Sequence, residues 1–384
     1  MSMTVTPAAL TDEERAAIID AVREFAQSRL APNALDWDRR KHFPLDALAA
    51  AGELGLGGIS VRDDVGGAGL RREDAAAIFE ALAMGDPTIA AYISIHNMGA
   101  WMIDTFGTDD QRRRWLPNLV AMTELGSYCL TEPGAGSDAA AITTSAIPDG
   151  DEYVLTGVKQ FISGAGAAAV YVVMARTGAP GAKGITAFLV PADAAGLSFG
   201  PNEHKMGWNA QPTRQVILDE VRVPASAVLG EVGGGFRIAM KGLNGGRVNI
   251  AACSIGGAQW ALARAVRYVH ERFTFGEALA ERQTVVFALA DMATQLQAAR
   301  ALVQGAARAI DEGAPDVAVQ CAMAKRFATD AGFEVANQAL QLHGGYGYLQ
   351  EYGIEKVVRD LRVHQILEGT NEIMRVIIGR GVLG

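Results

Sequence analysis

The sequence predicts an α+β protein in which helices occupy both ends of the chain and strands occupy its middle. Apolar residues recur with helical spacing as far as residue 124, change there to short β-branched and aromatic runs, and return to long helical patterns near residue 233. The 384 residues also exceed what a single hydrophobic core usually organises. We therefore expect an N-terminal α-helical domain at residues 1–124, a middle β domain at 125–232 and a C-terminal α-helical bundle at 233–384.

The N-terminal helices are predicted from their caps and their periodicity. Thr11 and Glu14 have the spacing of a capping box ahead of the stretch RAAIIDAVREFAQSRL, in which apolar residues recur at helical intervals. Comparable patterns follow in EDAAAIFEALAMG and DDQRRRWLPNLVAM, separated by Gly, Pro and Asp.

The middle region predicts strands without helices between them. The short runs are bounded by Gly, Pro or Asp and read SYCL, YVLTG, KQFIS, AVYVVMA, ITAFLV and QVILDEVRV. This order favours antiparallel sheets or a barrel over a doubly wound nucleotide-binding fold. Beyond residue 233, two long helical patterns that begin at residues 280 and 314 predict the antiparallel helices of a bundle.

Composition argues against several classes of function. The formal net charge of −9 disfavours nucleic-acid binding, and no apolar run reaches the roughly 18 residues of a membrane span. The N-terminus has no visible secretory or transit peptide, which predicts a cytoplasmic protein, or an organelle-matrix protein whose transit peptide has been removed. Cys129, Cys253 and Cys321 lie far apart and the six histidines form no metal-binding motif, so we expect core thiols and no metal site.

Two glycine patterns, GAGSDA at 134–139 and GAGAAA at 164–169, match a dinucleotide-binding fingerprint only weakly. The fingerprint requires a strand before it and a helix after it, whereas GAGAAA leads directly into the strand VYVVMA. The stretch YCLTEPGAGSD at 128–138 is more informative, because its glycines let a flat ligand approach the backbone and Thr131 and Ser137 offer hydroxyls. A plain turn is the alternative interpretation.

Two further stretches combine glycine with side chains suited to ligands. LNGGRVNIAA at 243–252 places two glycines before Arg247, and an arginine beside backbone N–H groups at a helix start suits phosphate or carbonyl recognition. A surface arginine is the alternative there. QLHGGYGYL at 341–349 has more glycines than a helix C-cap needs, which favours close approach of a ligand or a second subunit.

The stretch LEGTNE at 367–372 places Glu368 between two helical patterns, after Leu367 and before Gly369. A solvated loop carboxylate is one interpretation. A carboxylate held against apolar groups is the other, because burial disfavours the charged form and can tune the group as a proton acceptor.

YCLTEPGAGSD, FIS at 161–163, ERFTFG at 271–276, QLHGG and LEGTNE follow one another along nearly the whole chain, and in this order and spacing they resemble the acyl-CoA dehydrogenase family. The resemblance implies a helical N-terminal domain, a middle β domain and a C-terminal four-helix bundle, with FAD bound in a homotetramer. It also implies that Glu368 is the catalytic base, which removes the α-proton of an acyl-CoA thioester while the β-hydrogen leaves as hydride to the flavin.

Carried over residue by residue, the resemblance implies three sets of site residues. The catalytic residue is Glu368. The FAD-binding set is Tyr128, Leu130, Thr131, Gly136, Ser137, Phe161, Ile162, Ser163, Arg272, Phe275, Gln283, Gln341, Leu342, Gly344, Gly345, Thr370 and Glu372. The substrate-binding set is Ser137, Asn244, Gly245, Gly246, Arg247, Gly369 and Arg380. Within the FAD set, Arg272 and the 341–345 stretch are expected to reach the FAD of a neighbouring subunit, whereas Phe161 and Ser163 stand where the family often has Trp and Thr.

Longer stretches such as AYISIHNMGAWMID and GWNAQPTR, together with Leu367 before the base, resemble the family members that act on short branched acyl-CoAs. The expected reaction is the α,β-dehydrogenation of isobutyryl-CoA to methacrylyl-CoA in valine catabolism. 2-Methylbutyryl-CoA or a short straight-chain acyl-CoA is the alternative substrate, and an O2-using flavin oxidase or monooxygenase of the same fold is the alternative class. Electron-transfer flavoprotein is the expected electron acceptor.

Overall fold

The computed structural model describes residues 10–384, which form eleven α-helices and ten β-strands. The helices are Asp12–Phe25 (α1), Ala34–Arg40 (α2), Leu45–Glu53 (α3), Arg72–Ala83 (α4), Pro87–Phe106 (α5), Asp109–Val120 (α6), Gly235–Glu271 (α7), Gln283–Glu312 (α8), Val317–His343 (α9), Ile354–Arg362 (α10) and Asn371–Leu383 (α11). The strands are Gly126–Cys129 (β1), Ser145–Asp149 (β2), Glu152–Ser163 (β3), Val170–Arg176 (β4), Ile185–Pro191 (β5), Leu197–Phe199 (β6), Thr213–Pro224 (β7), Val228–Leu229 (β8), Phe273–Thr274 (β9) and Glu277–Ala278 (β10).

The N-terminal helices begin where their side chains can cap them. The predicted capping box is present at α1, where the Thr11 side chain and the Glu14 side chain bond each other's backbone N–H groups. Helix α5 is buried along almost its whole length and contributes much of the core. A buried amide on α5, that of Asn97, donates to the Leu56 carbonyl at 2.7 Å and accepts from the Ile59 amide at 2.8 Å, so it fixes the segment between α3 and α4.

The middle strands form one eight-stranded sheet in the order β6-β7-β3-β2-β4-β5-β8, with β1 paired to β4. Most neighbours are antiparallel, as predicted, although β1 and β2 both pair with β4 in parallel. The prediction of separate YVLTG and KQFIS strands is wrong, because both belong to β3. Gly157 has a φ of 155° and lies at a shift in the pairing register with β7. The strand continues through this irregularity instead of ending at the glycine.

The C-terminal helices pack around α7, which also reaches α4 and α5 of the N-terminal region. Glycines permit the closest approaches: a Cβ on Gly256 would lie 2.1 Å from the Glu80 carbonyl oxygen. The stretch Gly245–Arg247 lies well inside α7 and not at its start, so the expectation of a helix-start site with free N–H groups is wrong. Only the first four N–H groups of a helix lack intrahelical partners.

This succession of helices, strands and helices confirms the predicted fold class, while the limits of the three domains stay a prediction. Cys129, Cys253 and Cys321 are buried free thiols, as expected. Within residues 10–384, no helix combines the length and the apolar character that crossing a bilayer requires.

Candidate active site

Glu368 lies in a tight turn that precedes helix α11. Its φ of 57° and the φ of 90° at Gly369 reverse the chain, and Thr370 then caps α11 by accepting from the Ile373 amide at 3.3 Å. A left-handed conformation is uncommon for a residue that carries a side chain. Here the turn brings the Glu368 carboxylate onto the surface of α7.

The Glu368 carboxylate contacts the bare backbone of α7 at Gly246. A Cβ on Gly246 would lie 2.6 Å from Oε2 and 3.0 Å from Oε1. The residue as a whole keeps some exposed surface, but Oε2 is buried and has no hydrogen-bond partner among residues 10–384. Burial raises the pKa of Glu368 to about 7, against the opposing positive charges of Arg247 and Lys325.

Arg247 is almost fully buried and binds the backbone of Glu368 instead of its carboxylate. Its Nε donates to the Glu368 carbonyl at 3.1 Å and its Nη1 donates to Asn244 Oδ1 at 3.1 Å. Several of the predicted substrate-binding positions therefore meet around the candidate base, namely Asn244, Gly246, Arg247 and Gly369.

Lys325, on α9, is a residue of this site that the sequence analysis missed. Its fully buried Nζ donates to the Gly369 carbonyl and to Asn371 Oδ1, each at 2.9 Å, so it ties the turn to the first residue of α11. Burial lowers the pKa of Lys325 to about 8. The one sequence signal was a lysine four residues after Cys321, on a buried face of α9 that carries Thr329 and otherwise mainly small apolar residues.

Tyr128, a predicted cofactor-binding residue on β1, brings a hydroxyl near the same carboxylate. The hydroxyl is buried and has no partner among the described residues. Burial raises the pKa of Tyr128, and the negative charge of Glu368 raises it further. Two neighbouring polar groups thus lack partners within residues 10–384, which is typical of a site that a ligand completes.

The loop after β1 is anchored by an internal ion pair that the sequence analysis also missed. Glu132 accepts from Lys159 Nζ at 2.8 Å, from the Thr143 amide at 2.6 Å and from the Thr144 amide at 2.9 Å. Burial opposes the charge, but Lys159 and these N–H groups outweigh it and lower the pKa of Glu132 to about 2. The anchored loop keeps an open face, since no atom of the described residues lies within 4 Å of a Cβ added at Gly136.

Strand β3 places the FIS stretch beside this loop, because the Gln160 amide donates to the Thr131 carbonyl at 2.8 Å. At a bulge in β3, Phe161 takes a φ of 59° and leaves 63% of its surface exposed. A strained backbone that presents an exposed aromatic ring is a common feature of ligand sites. Ser163, at the end of β3, accepts at Oγ from the Gln211 side chain at 3.3 Å.

A second group of predicted residues surrounds a separate cavity of about 400 Å³ at the C-terminal end of α9. At the wall of this cavity, Cζ of Arg272 lies 5.7 Å from the centre of the Tyr346 ring. Glu368 is not among the lining residues. The predicted FAD-binding positions that do line this cavity are Arg272, Gln341, Leu342, Gly344 and Gly345.

The remaining predicted positions lie in the core or on the surface. Leu130 and Ile162 are buried, so only their backbone groups are available to a ligand. The structure leaves the others exposed, and their roles stay predictions: Ser137, Phe275, Gln283, Glu372 and Arg380.

Comparison with known proteins identifies the fold that carries this site. Models described as the N-terminal, middle and C-terminal domains of acyl-CoA dehydrogenase match residues 12–123, 127–221 and 233–383. The chain belongs to the acyl-CoA dehydrogenase family. It is 51% identical to mitochondrial isobutyryl-CoA dehydrogenase of Bos taurus, over 99% of this chain and 91% of that protein.

Solved structures of the family superpose closely. Butyryl-CoA dehydrogenase from Megasphaera elsdenii is 38% identical, covers 98% of this chain and 100% of its own, and gives a TM-score of 0.94. A glutaryl-CoA dehydrogenase from Mycobacterium smegmatis in complex with FADH2 is 29% identical, covers 97% of this chain and 95% of its own, and gives a TM-score of 0.92.

Acyl-CoA dehydrogenases depend on FAD, and the residues of this chain fit that group. The open backbone at Gly136 and the exposed ring of Phe161 suit a flat heteroaromatic ring. The guanidinium of Arg272, beside the glycines of the second cavity, suits a diphosphate.

Proposed function

We propose that this protein is an FAD-dependent acyl-CoA dehydrogenase that converts isobutyryl-CoA to methacrylyl-CoA in valine catabolism, with Glu368 as its base. The observation that carries the proposal is the Glu368 carboxylate, which is held against Gly246, has a pKa near 7, and has a buried oxygen, Oε2, without a hydrogen-bond partner among the described residues. The likeness to an isobutyryl-CoA dehydrogenase along nearly the whole chain supports this choice of substrate.

The chemistry requires a base of suitable pKa and a donor for the developing enolate oxygen. The α-proton of a thioester is weakly acidic, so an effective base needs a pKa near the working pH. The Glu368 carboxylate meets that need through burial. The amide N–H of Glu368 makes no hydrogen bond among residues 10–384, so it is free to donate to the thioester oxygen. When bound, FAD supplies the acceptor for the hydride that leaves the β-carbon.

Arg247 and Lys325 position the base without pairing with it. They bind the carbonyl oxygens of Glu368 and Gly369, and so hold the left-handed turn from two directions. A direct hydrogen bond from either cation to the carboxylate would favour its charged form and weaken it as a base. The two cations therefore hold the turn through its backbone, while burial sets the pKa of the carboxylate.

The branch of an isobutyryl group at the α-carbon requires width beside the base. Gly246 gives the Glu368 carboxylate its place against α7, because any side chain there would meet that carboxylate. Burial of each additional methylene contributes only about 0.8 kcal/mol, so burial alone gives a weak preference for chain length. Strong discrimination against longer chains needs a steric wall.

A panel of acyl-CoAs under one dye-linked assay tests the substrate and the class together. We expect the highest kcat/KM for isobutyryl-CoA, slower reaction of 2-methylbutyryl-CoA and butyryl-CoA, and almost none of octanoyl-CoA. An optimum at butyryl-CoA or isovaleryl-CoA would contradict the branched-chain assignment. Production of H2O2 in air in place of dye reduction would instead indicate an oxidase.

We also propose that the protein is a homotetramer in which the Arg272 cavity binds the FAD of a neighbouring subunit, and that electron-transfer flavoprotein accepts the electrons. The cavity is separate from the residues around Glu368, and exposed aromatic side chains lie beside it, with Phe275 96% and Tyr348 82% exposed. Exposed apolar patches of this kind mark interfaces. Light scattering and flavin absorbance of the purified protein test this, and a monomer that retains FAD would contradict the shared site.

A further inference from the structure

Arg72, the first residue of α4, is a buried arginine whose guanidinium has no hydrogen-bond acceptor among residues 10–384. The residue is 8% exposed. Among residues 10–384, it makes a hydrogen bond to a side chain only through its backbone N–H, which donates to Asp311 Oδ1 at 2.9 Å. A guanidinium has five N–H donors, so one that meets no acceptor among residues 10–384, in a residue that is otherwise buried, is available to a ligand.

The carboxylate that acts on Arg72 is already engaged elsewhere. Asp311 caps α4 by accepting from the backbone amides of Arg72 and Glu73, and it lies 3.6 Å from Arg71 Nε. Burial lowers the pKa of Arg72 to about 10, with Asp311 opposing that shift. The guanidinium lies over the Trp101 ring, with Cζ 4.9 Å from the ring centre, a contact that positions the group and leaves its N–H donors available.

Arg72 faces the stretch of α7 that also carries the candidate active site. A Cβ on Gly245 would lie 3.0 Å from Nη1 of Arg72, and the next residue, Gly246, faces Glu368. The guanidinium groups of Arg72 and Arg247 both lower the pKa of the Cys321 thiol, against its burial. Arg72 therefore contacts α7 one residue before the glycine that faces the base, and among the described residues it makes no hydrogen bond to Glu368.

We infer that Arg72 is a substrate-binding residue whose guanidinium donates to acceptor oxygens in the coenzyme A portion of the acyl-CoA. This inference rests on the proposed function. An isobutyryl group has no acceptor other than its thioester carbonyl, which belongs at Glu368. The acceptors that remain are the amide carbonyls of pantetheine and the phosphates, and the planar fork of a guanidinium suits both.

The experiment compares Arg72→Gln with wild type on thioesters that share the acyl group and differ in the carrier. With isobutyryl-CoA, kcat/KM is expected to fall about 10- to 100-fold, as for the loss of charged hydrogen bonds, mostly through KM. With the isobutyryl thioester of ethanethiol, which has neither the amide carbonyls nor the phosphates, the ratio of variant to wild type is expected to stay near one. The isobutyryl thioester of phosphopantetheine then distinguishes an acceptor in the pantetheine arm from one in the adenosine diphosphate part.

Arg71→Gln is the matched control, because Arg71 is the adjacent arginine and contacts the same Asp311 carboxylate. It is expected to behave as wild type with both carriers. Arg72→Lys keeps the positive charge and the aliphatic part of the side chain but loses the planar guanidinium. This variant decides the question if Arg72→Gln does not fold. A lower affinity for free coenzyme A at an unchanged melting temperature supports the inference.

Equal losses with both carriers, an equal loss in Arg71→Gln, or unchanged coenzyme A affinity in both folded Arg72 variants would overturn the role of Arg72. Calorimetric titration with free coenzyme A separates this from the proposed function, since the titration needs no particular acyl chain. A wild-type holoenzyme that does not bind coenzyme A would refute the proposed function. Tight binding that is the same in the Arg72 variants would refute only the present inference.

Discussion

Glu132 and Glu368 are two glutamates with buried carboxylate oxygens, each close to a lysine, yet their pKa values shift in opposite directions. At Glu132 the lysine and two backbone amides donate directly to the carboxylate, and the pKa falls to about 2. At Glu368 the nearby cations donate to carbonyl oxygens of the turn, and the pKa rises to about 7. The pKa of a carboxylate therefore depends on which atom accepts the hydrogen bond as much as on the presence of a nearby cation.

This difference separates a carboxylate that holds the structure from one that is suited to chemistry. Glu132 is permanently ionised at neutral pH and ties the loop after β1 to Lys159 and to residues 143–144. Glu368 is poised to exchange a proton, because burial disfavours its charge and no donor reaches Oε2 among the described residues.

The largest effect is expected from Glu368→Gln, which removes the proton acceptor and keeps the shape. Turnover should fall by about 10²- to 10⁴-fold, the usual contribution of a general base. FAD content and substrate affinity should persist, because the amide is nearly isosteric. Stopped-flow absorbance of the flavin after mixing with isobutyryl-CoA measures the reductive half-reaction directly. Flavin reduction at the wild-type rate would remove Glu368 from the mechanism.

Glu132→Gln is expected to affect stability more than chemistry. Lys159 is fully buried, so loss of its partner leaves an uncompensated charge, and breaking a buried pair costs about 3–5 kcal/mol. Thermal unfolding of the holoenzyme measures the loss. Asp110→Asn is the control, since the Asp110–Arg113 pair at 2.7 Å is exposed and its removal should leave the melting temperature nearly unchanged. A similar melting temperature for all three proteins would show that the Glu132 pair does not stabilise the fold.

Gly246→Ala tests whether the position of the Glu368 carboxylate depends on the bare helix surface. The new Cβ would lie 2.6 Å from Oε2, so the flexible carboxylate must move, and a displacement of about 1 Å can lower the rate by up to about 100-fold. The fold should survive, because only the end of a side chain has to shift. Gly305→Ala on α8 is the matched control: no described atom lies within 4 Å of its Cβ, and it should leave the rate unchanged and stabilise the helix by about 0.5–1 kcal/mol. Equal rates in the two variants would contradict the role of Gly246.

The comparison also shows which parts of the molecule the sequence could predict. Helices α8 and α9, and the location of Glu368 between two helices, followed from local signals, because periodicity and the LEGTNE stretch lie within a few turns of chain. The role of Glu368 as a base came from the resemblance. Lys325 and Lys159 escaped prediction, since each meets its partners 27 to 46 residues away and a buried lysine has no local signature. The division of β3 into two predicted strands at Gly157 was wrong for a related reason. A glycine within a strand pattern indicates a turn or a bulge, and only the pairing with β7 decides between them.

The smallest predicted effect concerns Lys325 and appears as a shift in pH dependence. The base must be ionised to accept a proton, so kcat/KM of the wild type should rise with pH through about 7, the pKa of Glu368. Lys325 lowers that pKa, and Lys325→Met should therefore move the rising limb to higher pH, by up to about one unit, so that the variant loses more activity at pH 6 than at pH 9. Thr329→Val is the control, because it removes the hydrogen bond between Asn371 and the Thr329 hydroxyl without changing any charge, and its profile should match that of the wild type. A uniform loss at every pH in Lys325→Met would mean that the lysine only holds the turn, and a limb displaced to lower pH would contradict the electrostatic coupling between Lys325 and Glu368.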